Sequence, residues 1–418
     1  MAGIVHVIGA GLAGLSAASA LAEQGIGVAV HEAGPAAGGR CRSYFDRALG
    51  MVVDNGNHLM LSGNRDLAAF RARIGADAPL AGPGRALFPF LDLADGARWT
   101  LAPNAGPLPW WILAPARRVA GSRIGAYGAL VRLALARGPA TIAALFADHP
   151  LYRRLIAPLS IAVLNTPPEA ASAALMGAVL RETLVRGGQA AIPLYPAQGL
   201  SAALIDPALA WLAARGVVPE FGQRIAALEC GDGRVTGLLG PGGRIALAAA
   251  DRVVLAVPAP VAADLLAGLV VPDRFEAIAN LHVAATADLG RAGFLGLIGG
   301  TAEFVFAKKG HLSVTISAAN RLAEASQDAL AGAVWSDLQA ALGLSGPLPP
   351  WRLVREKRAT FAATPAQEAR RPDARAAMRL GLANLVLAGD WTATGLPATI
   401  EGAIRSGRVA ASIMRAQA

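Results

Sequence analysis

The chain reads as an α/β protein: a doubly wound, Rossmann-like parallel sheet interrupted by an inserted mixed α+β, partly helical domain. Three observations predict this. A short β-branched run at residues 4–8 leads into Gly9-Ala10-Gly11-Leu12-Ala13-Gly14 and an alanine-rich helical stretch to about Gln24. A second strand, residues 27–31, ends in the acidic Glu32. Far downstream, "ADRVVLAVPAP" is again a uniformly apolar run. Strands of this kind suit a parallel sheet covered by helices on both faces.

In chain order, residues 1–80 form the first segment of the sheet domain. Residues 81–189 mix Pro, Gly, Trp and Arg with aliphatic stretches at 110–147 and 151–184, and are expected to be a helical insertion facing substrate or membrane. Strand-like runs return at 216–228 and 244–258, so 190–263 is the second sheet segment. Residues 264–375 alternate short strands, such as 312–317, with helices, as a second part of the substrate domain. Residues 376–418 read as strand, glycine turn and long helix, closing the first domain.

At 418 residues the chain exceeds one ordinary core, and its 54% hydrophobic content is enough for two. Lys and Arg outnumber Asp and Glu by 38 to 29, for a net charge of +9. The arginines are scattered and aromatics make up only 5%, which excludes a nucleic-acid binder and favours an anionic membrane surface. Cys41 and Cys230 form no C-x-x-C and no metal-ligand pattern, so they read as two reduced core cysteines in a cytoplasmic protein without metal. The N-terminus lacks the basic stretch of a signal peptide, and four prolines break the uncharged run at 99–116. The expectation is therefore a cytoplasmic chain, peripheral on the inner face of the cell membrane, with no transmembrane helix. Nothing in the sequence bears on oligomeric state.

The glycines of Gly9-x-Gly11-x-x-Gly14 allow a tight turn, close approach of backbone to a pyrophosphate, and close helix-to-strand packing. The following helix offers N–H groups and a positive dipole, with Leu12 and Ala13 in its first turn. Glu32 stands where ribose hydroxyls would be held. A dinucleotide is the expected ligand, but FAD and NAD share this pattern. Two further motifs separate them. After Glu32 comes Ala33-Gly34-Pro35-Ala36-Ala37-Gly38-Gly39-Arg40, and near the C-terminus come Gly389-Asp390-Trp391 and Pro397-Ala398-Thr399-Ile400.

This E-x5-G-G-R element with a distal G-D resembles the FAD-dependent amine oxidase and phytoene desaturase superfamily, with its GR2-type FAD-binding domain. The resemblance implies that Gly38 and Gly39 pass close to the cofactor, that Arg40 pairs with phosphate, and that Asp390 bonds the ribityl chain. The helix starting near Thr399 would face the flavin pyrimidine edge, and Ile225 would contact adenine through its backbone. The stretch "VDNGNH" falls where the superfamily runs a strand along the flavin, bringing Asn55, Gly56, Asn57 and His58 to it. A histidine satisfied by backbone carbonyls is the competing reading of His58.

Amine-oxidising members flank their substrate with aromatics, one usually a C-terminal tyrosine, and this chain has no tyrosine after Tyr195. The stretches "DNGNHLMLSGN", "IANLHVAA", "LSVTISAANR", "REKRATFAATPAQEARRP" and "AGDWTATGLPATIEGAIRSGR" instead resemble the squalene-associated branch, the hydroxysqualene dehydroxylases of hopanoid biosynthesis. Lys308-Lys309 departs from that branch's expected acidic-basic pair. The resemblance implies reduction of an allylic alcohol on a C30 isoprenoid, by protonation of the hydroxyl and hydride delivery from reduced flavin. One acid should then sit near the flavin, with His58 and His282 as candidates and Lys308 and Asp54 as weaker ones. Two alternatives stay open: a carotenoid desaturase, and a noncatalytic isoprenoid carrier of related fold.

Overall fold

A computed structural model describes residues 3–417. Four parallel strands form its first sheet, in the order Leu385–Leu387, Arg252–Leu255, Val5–Ile8 and Val28–His31. The first three are buried at every residue, as expected of strands sandwiched between helices. The sheet therefore unites residues from the start, middle and end of the chain.

Helix Leu12–Ala22 leaves the first strand, and the C-terminal helix Ile400–Ala416 packs across it. Gly407 sets their separation. A Cβ there would lie 2.1 Å from the Ala13 carbonyl oxygen and 2.8 Å from the Ser16 Cβ. The Ser16 hydroxyl donates to the Ile404 carbonyl at 2.8 Å, so the two helices touch backbone to backbone.

A second sheet has seven strands, in the order Trp351–Phe361, Phe275–Val283, His311–Ile316, Phe304–Lys308, Phe294–Ile298, Phe88–Asp92 and Arg98–Leu101. Neighbours run antiparallel except the pair Phe294–Ile298 and Phe88–Asp92. Helix Gln327–Leu342 buries Leu330, Val334, Trp335 and Leu338 against this sheet. The two strands at 88–101 come from the segment read as helical; their aromatic and β-branched residues favour strands, but the surrounding Pro and Gly obscure the pattern.

The aliphatic stretches at 110–147 and 151–184 are not long helices. They break into short pieces, among them Trp110–Leu113, Ile124–Tyr127, Gly128–Ala134, Ile142–Phe146, Ala157–Leu164 and Ala173–Glu182. The breaks coincide with Pro115, Gly121, Gly138-Pro139 and Pro167-Pro168, and with Asn165 in the left-handed region at φ +49°. Strands Ala227–Gly231, Arg234–Gly240 and Gly243–Ala246 form a separate three-stranded antiparallel meander. Cys41 is buried, but Cys230 is exposed on that meander, which corrects the reading of two core cysteines. Among the described residues no helix is long and apolar enough to cross a membrane.

Candidate active site

Gly9 adopts φ +106°, and a Cβ on it would lie 2.5 Å from the Ala256 carbonyl oxygen. A Cβ on Gly14 would lie 1.8 Å from the carbonyl oxygen of Gly9. The protein's own backbone therefore requires both glycines. Gly11 is different, because no atom lies within 4 Å of the Cβ it would carry. It caps helix Leu12–Ala22 without a side-chain hydrogen bond, so the N–H groups of Leu12, Ala13 and Gly14 face that open space. This is a seat for a pyrophosphate anion.

Gly38 and Gly39 form the other wall. The Gly38 N–H donates to the Ala10 carbonyl at 2.9 Å, and a Cβ on Gly39 would lie 3.7 Å from the Gly11 Cα. Glu32 braces the cradle, since its two carboxylate oxygens accept the N–H groups of Ala10 and Gly34, each at 2.7 Å. The Gln223 N–H donates to the Glu32 carbonyl at 2.8 Å. Two residues on, Ile225 is 5% exposed and makes no backbone hydrogen bond among the described residues.

Arg40 and Asp390 meet each other. The Arg40 Nη2 lies 2.7 Å from Asp390 Oδ1, and its Nη1 donates to the Ala359 carbonyl at 2.5 Å. Gly389, at φ +152°, donates its N–H to the Ser406 hydroxyl on the C-terminal helix at 2.8 Å. Beneath this loop lies a residue the sequence reading missed. Arg371, its side chain 0% exposed, donates to the carbonyls of Asp390 at 3.2 Å, Trp391 at 3.4 Å and Thr392, and pairs with Glu368 at 2.8 Å. Its only sequence signal was membership of "REKRATFAATPAQEARRP".

Pro397 and Ala398 lead into the C-terminal helix, where the Thr399 hydroxyl accepts the Gly402 N–H at 3.0 Å, so the helix begins at Ile400. Glu401 turns away from this end and accepts the N–H groups of Asp66 and Leu67 at 2.9 and 2.8 Å, capping helix Arg65–Arg73. Arg405, one turn on, pairs with Asp66 at 2.9 Å and Glu182 at 2.7 Å.

The stretch at 54–58 crosses the face of the seven-stranded sheet, over Asn280 and His282 of one strand, Thr315 of the next and Lys308 of the one after. Asn55 donates its N–H to the Arg42 carbonyl at 2.9 Å. His58 places Nδ1 3.0 Å from the Gly56 carbonyl and Nε2 3.8 Å from the Cys41 thiol. The carbonyl can only accept, so Nδ1 carries the proton of the neutral ring and Nε2 is the acceptor facing the Cys41 thiol. Burial lowers the His58 pKa and pushes the Cys41 thiol up to about 12. A Cβ on Gly56 would lie 3.1 Å from Asn280 Nδ2 and 3.9 Å from His58 Cε1, so an amide and an imidazole flank the same glycine. Asn280 Oδ1 accepts from the Asn57 N–H at 3.2 Å and the Thr315 hydroxyl at 3.1 Å. Asn280 is 1% exposed, and its Nδ2 has no hydrogen-bond partner among the described residues; the buried Asn57 Oδ1 has none either.

His282 is enclosed. The ring is 1% exposed, with Nε2 3.0 Å from the Asp54 carbonyl and Nδ1 2.9 Å from the Ser313 hydroxyl. Burial, then the neighbouring His311, lowers its pKa to about 4. Because the folded value lies below the unfolded one, the neutral ring stabilises the fold fully above pH 6.5, and that stability is lost as pH falls through about 4. The full effect is roughly 3 kcal/mol. Thermal midpoints between pH 7 and 4 should fall less steeply in His282→Asn than in the parent; equal slopes would exclude His282 as the source.

Asp54 ties these elements together. Its Oδ1 accepts from the Ser43 hydroxyl at 2.7 Å and the Leu200 N–H at 2.8 Å, and its Oδ2 lies 3.5 Å from the buried Lys308 ammonium. Lys308 also donates to the Pro196 carbonyl at 2.9 Å. The unexpected lysine is thus the counter-ion of Asp54. Two surface concavities of about 540 Å³ each lie elsewhere, one beside Trp211 and one beside Arg117, and neither contains these residues.

A glycine cradle open to an anion, set against a sheet face with an unfilled donor and an imidazole, is the arrangement of an oxidoreductase that uses a nucleotide cofactor. Comparison with known proteins narrows the class. The profile described as "Flavin containing amine oxidoreductase" matches residues 12–289 and 302–414, and the chain belongs to that family of flavin-dependent enzymes. Hydroxysqualene dehydroxylase of Rhodopseudomonas palustris is 49% identical over 419 residues, covering 100% of this chain and 99% of its own. The protein of that name from Sinorhizobium fredii is 44% identical over 410 residues, covering 98% and 97%. The resemblance read from the sequence therefore holds along the whole chain. Among solved structures, cyclohexylamine oxidase of Brevibacterium oxydans aligns with a TM-score of 0.72 at 17% identity over 99% of both chains, a likeness of fold.

Proposed function

We propose that this chain binds FAD and reduces the allylic alcohol hydroxysqualene to squalene, within hopanoid or related triterpenoid biosynthesis. The observation that carries the reading is the 49% identity to a hydroxysqualene dehydroxylase along the full length of both proteins. Within a flavin-dependent family, the open space over Gly11 supports FAD over FMN, which has no pyrophosphate to fill it. Gly9, Gly14, Gly38, Gly39 and Glu32 would shape the dinucleotide seat, Ile225 the adenine end, and Asp390 and the helix at Ile400 the flavin end.

The reaction replaces a C–OH bond by C–H: one proton joins the leaving hydroxyl to give water, and one hydride equivalent joins the allylic carbon. Reduced flavin supplies the hydride equivalent. This chain's residues must deliver the proton and hold the hydroxyl. Asn280 Nδ2 is a free donor that can fix the hydroxyl oxygen. His58, once protonated at Nε2, is the acid we assign. His282, 1% exposed and held between the Asp54 carbonyl and the Ser313 hydroxyl, is assigned to holding Asp54 and Ser313 in place.

The sign of the pH dependence follows. Burial holds the His58 pKa below 6.5, so its acid form grows as pH falls through that lowered value. Single-turnover oxidation of prereduced protein by hydroxysqualene should speed up on acidification. His58→Gln should lower the rate on the order of 10²-fold, flatten the profile and keep the flavin. An unchanged profile in that variant would assign the proton to water or another group. Squalene as the anaerobic product supports the main reading. Desaturation of phytoene by oxidised protein would favour the desaturase. A protein that stays colourless with FAD would overturn the enzyme reading and leave a carrier.

A further inference from the structure

Residues 96–147 contain six arginines and not one aspartate or glutamate. Of the fifteen large hydrophobic side chains exposed among the described residues, six lie in this stretch. Leu108 is 76% exposed, Trp110 54%, Leu113 62%, Val131 59% and Leu135 68%. Soluble surfaces scatter such residues singly; a cluster marks a contact.

The cluster is held firmly from behind. Trp111, next to the exposed Trp110, is 4% exposed and packs edge-to-face on the buried Tyr127 at 5.3 Å. Asn104 donates to the carbonyls of Gly106 and Leu108 at 3.0 and 2.8 Å and accepts the Trp111 N–H at 3.2 Å. Tyr127 Oη accepts the Val119 N–H at 2.8 Å. The outward side chains are therefore presented by an ordered base. Among the described residues Arg117, Arg118, Arg123, Arg132 and Arg137 form no salt bridge. The Arg117 guanidinium lies 4.6 Å above the Trp110 ring, and Arg118 Nη1 is buried without a partner.

We propose that this face docks on an anionic lipid bilayer, with Leu108, Trp110 and Leu113 entering the acyl boundary and Arg117, Arg118 and Arg123 bonding headgroup phosphates. Charge decides the occupant. A second copy would meet the face with the same uncompensated arginines and be repelled, while a nucleic acid would meet five large apolar side chains that have nothing to bury against. A tryptophan with a guanidinium stacked on it suits the headgroup level, where one end is apolar and the other wet. The inference does not rest on the proposed reaction, because docking is measured without substrate.

Flavin-loaded protein should sediment with vesicles containing phosphatidylglycerol and much less with pure phosphatidylcholine, and added salt should release it. Replacing Arg117, Arg118 and Arg123 by glutamine should weaken this partitioning about fivefold per arginine. L108S with L113S should weaken it on both vesicle types, with flavin content and thermal midpoint as the check on folding. Equal binding to both lipids, parental binding by the triple arginine variant, or preference for a duplex oligonucleotide over the anionic vesicles would overturn the proposal. So would an oligomer that the leucine variants convert to monomer.

Discussion

Gly11→Val should give a protein that folds like its parent but binds FAD on the order of 10²-fold more weakly, a loss of about 2.7 kcal/mol. Gly11 has φ −73° and ψ 177°, an extended conformation any residue adopts, and its Cβ would enter open space. Folding should therefore not notice the valine, whereas a pyrophosphate over Gly11 would collide with it. Gly14→Val is the contrasting case. Its Cβ would sit 1.8 Å from the Gly9 carbonyl oxygen, so helix and strand must part, at about 3 kcal/mol or more. That variant should be lost to aggregation. Thermal melts of flavin-free protein and FAD titration separate the two effects; undiminished FAD binding by Gly11→Val would move the pyrophosphate elsewhere.

Arg371→Leu should destabilise the protein by roughly 3–5 kcal/mol and release its flavin. The side chain is fully buried and satisfies three consecutive carbonyls, Asp390 to Thr392, while pairing with Glu368. Leucine would fill much of the volume but leave those carbonyls and the carboxylate without a donor. Arg371→Lys keeps the charge without the planar fork and should recover only part of the loss. If Arg371→Leu retains both its thermal midpoint and full flavin content, the clamp contributes nothing to the loop at Asp390.

The cradle was legible because its signals are local. Gly9, Gly11 and Gly14 fall at fixed spacing in one strand-to-helix turn, and the buried strands at 5–8 and 252–255 announce themselves by unbroken apolar runs. What escaped the sequence is what depends on residues distant in the chain. Nothing near Arg371 reveals that its acceptors lie at 390–392, nothing near Glu401 reveals that it caps a helix at 65, and nothing near Lys308 reveals that its partner is Asp54. The surroundings of His282 are hidden for the same reason: a histidine on a strand looks available until the Asp54 carbonyl and Ser313 are brought to its two nitrogens. The aliphatic stretches of 110–182 suggest continuous helices by their apolar content, but the prolines and glycines that punctuate them cut the chain into short ones.

The contact between the first and last helices has a consequence for how the protein is made. Strand Val5–Ile8 pairs with Arg252–Leu255, and Ala13 and Ser16 pack on Gly407 and Ile404. At about 5–20 residues per second, the ribosome needs roughly 10–50 seconds after making the first strand to produce that central partner, and longer to produce the final helix. Until that partner emerges, the glycine turn hangs from a sheet edge with no neighbour on one side. A chain cut short before Gly407 carries the entire N-terminal fingerprint and still lacks the helix on which Ala13 and Ser16 pack, so cofactor should load only once that helix has been made.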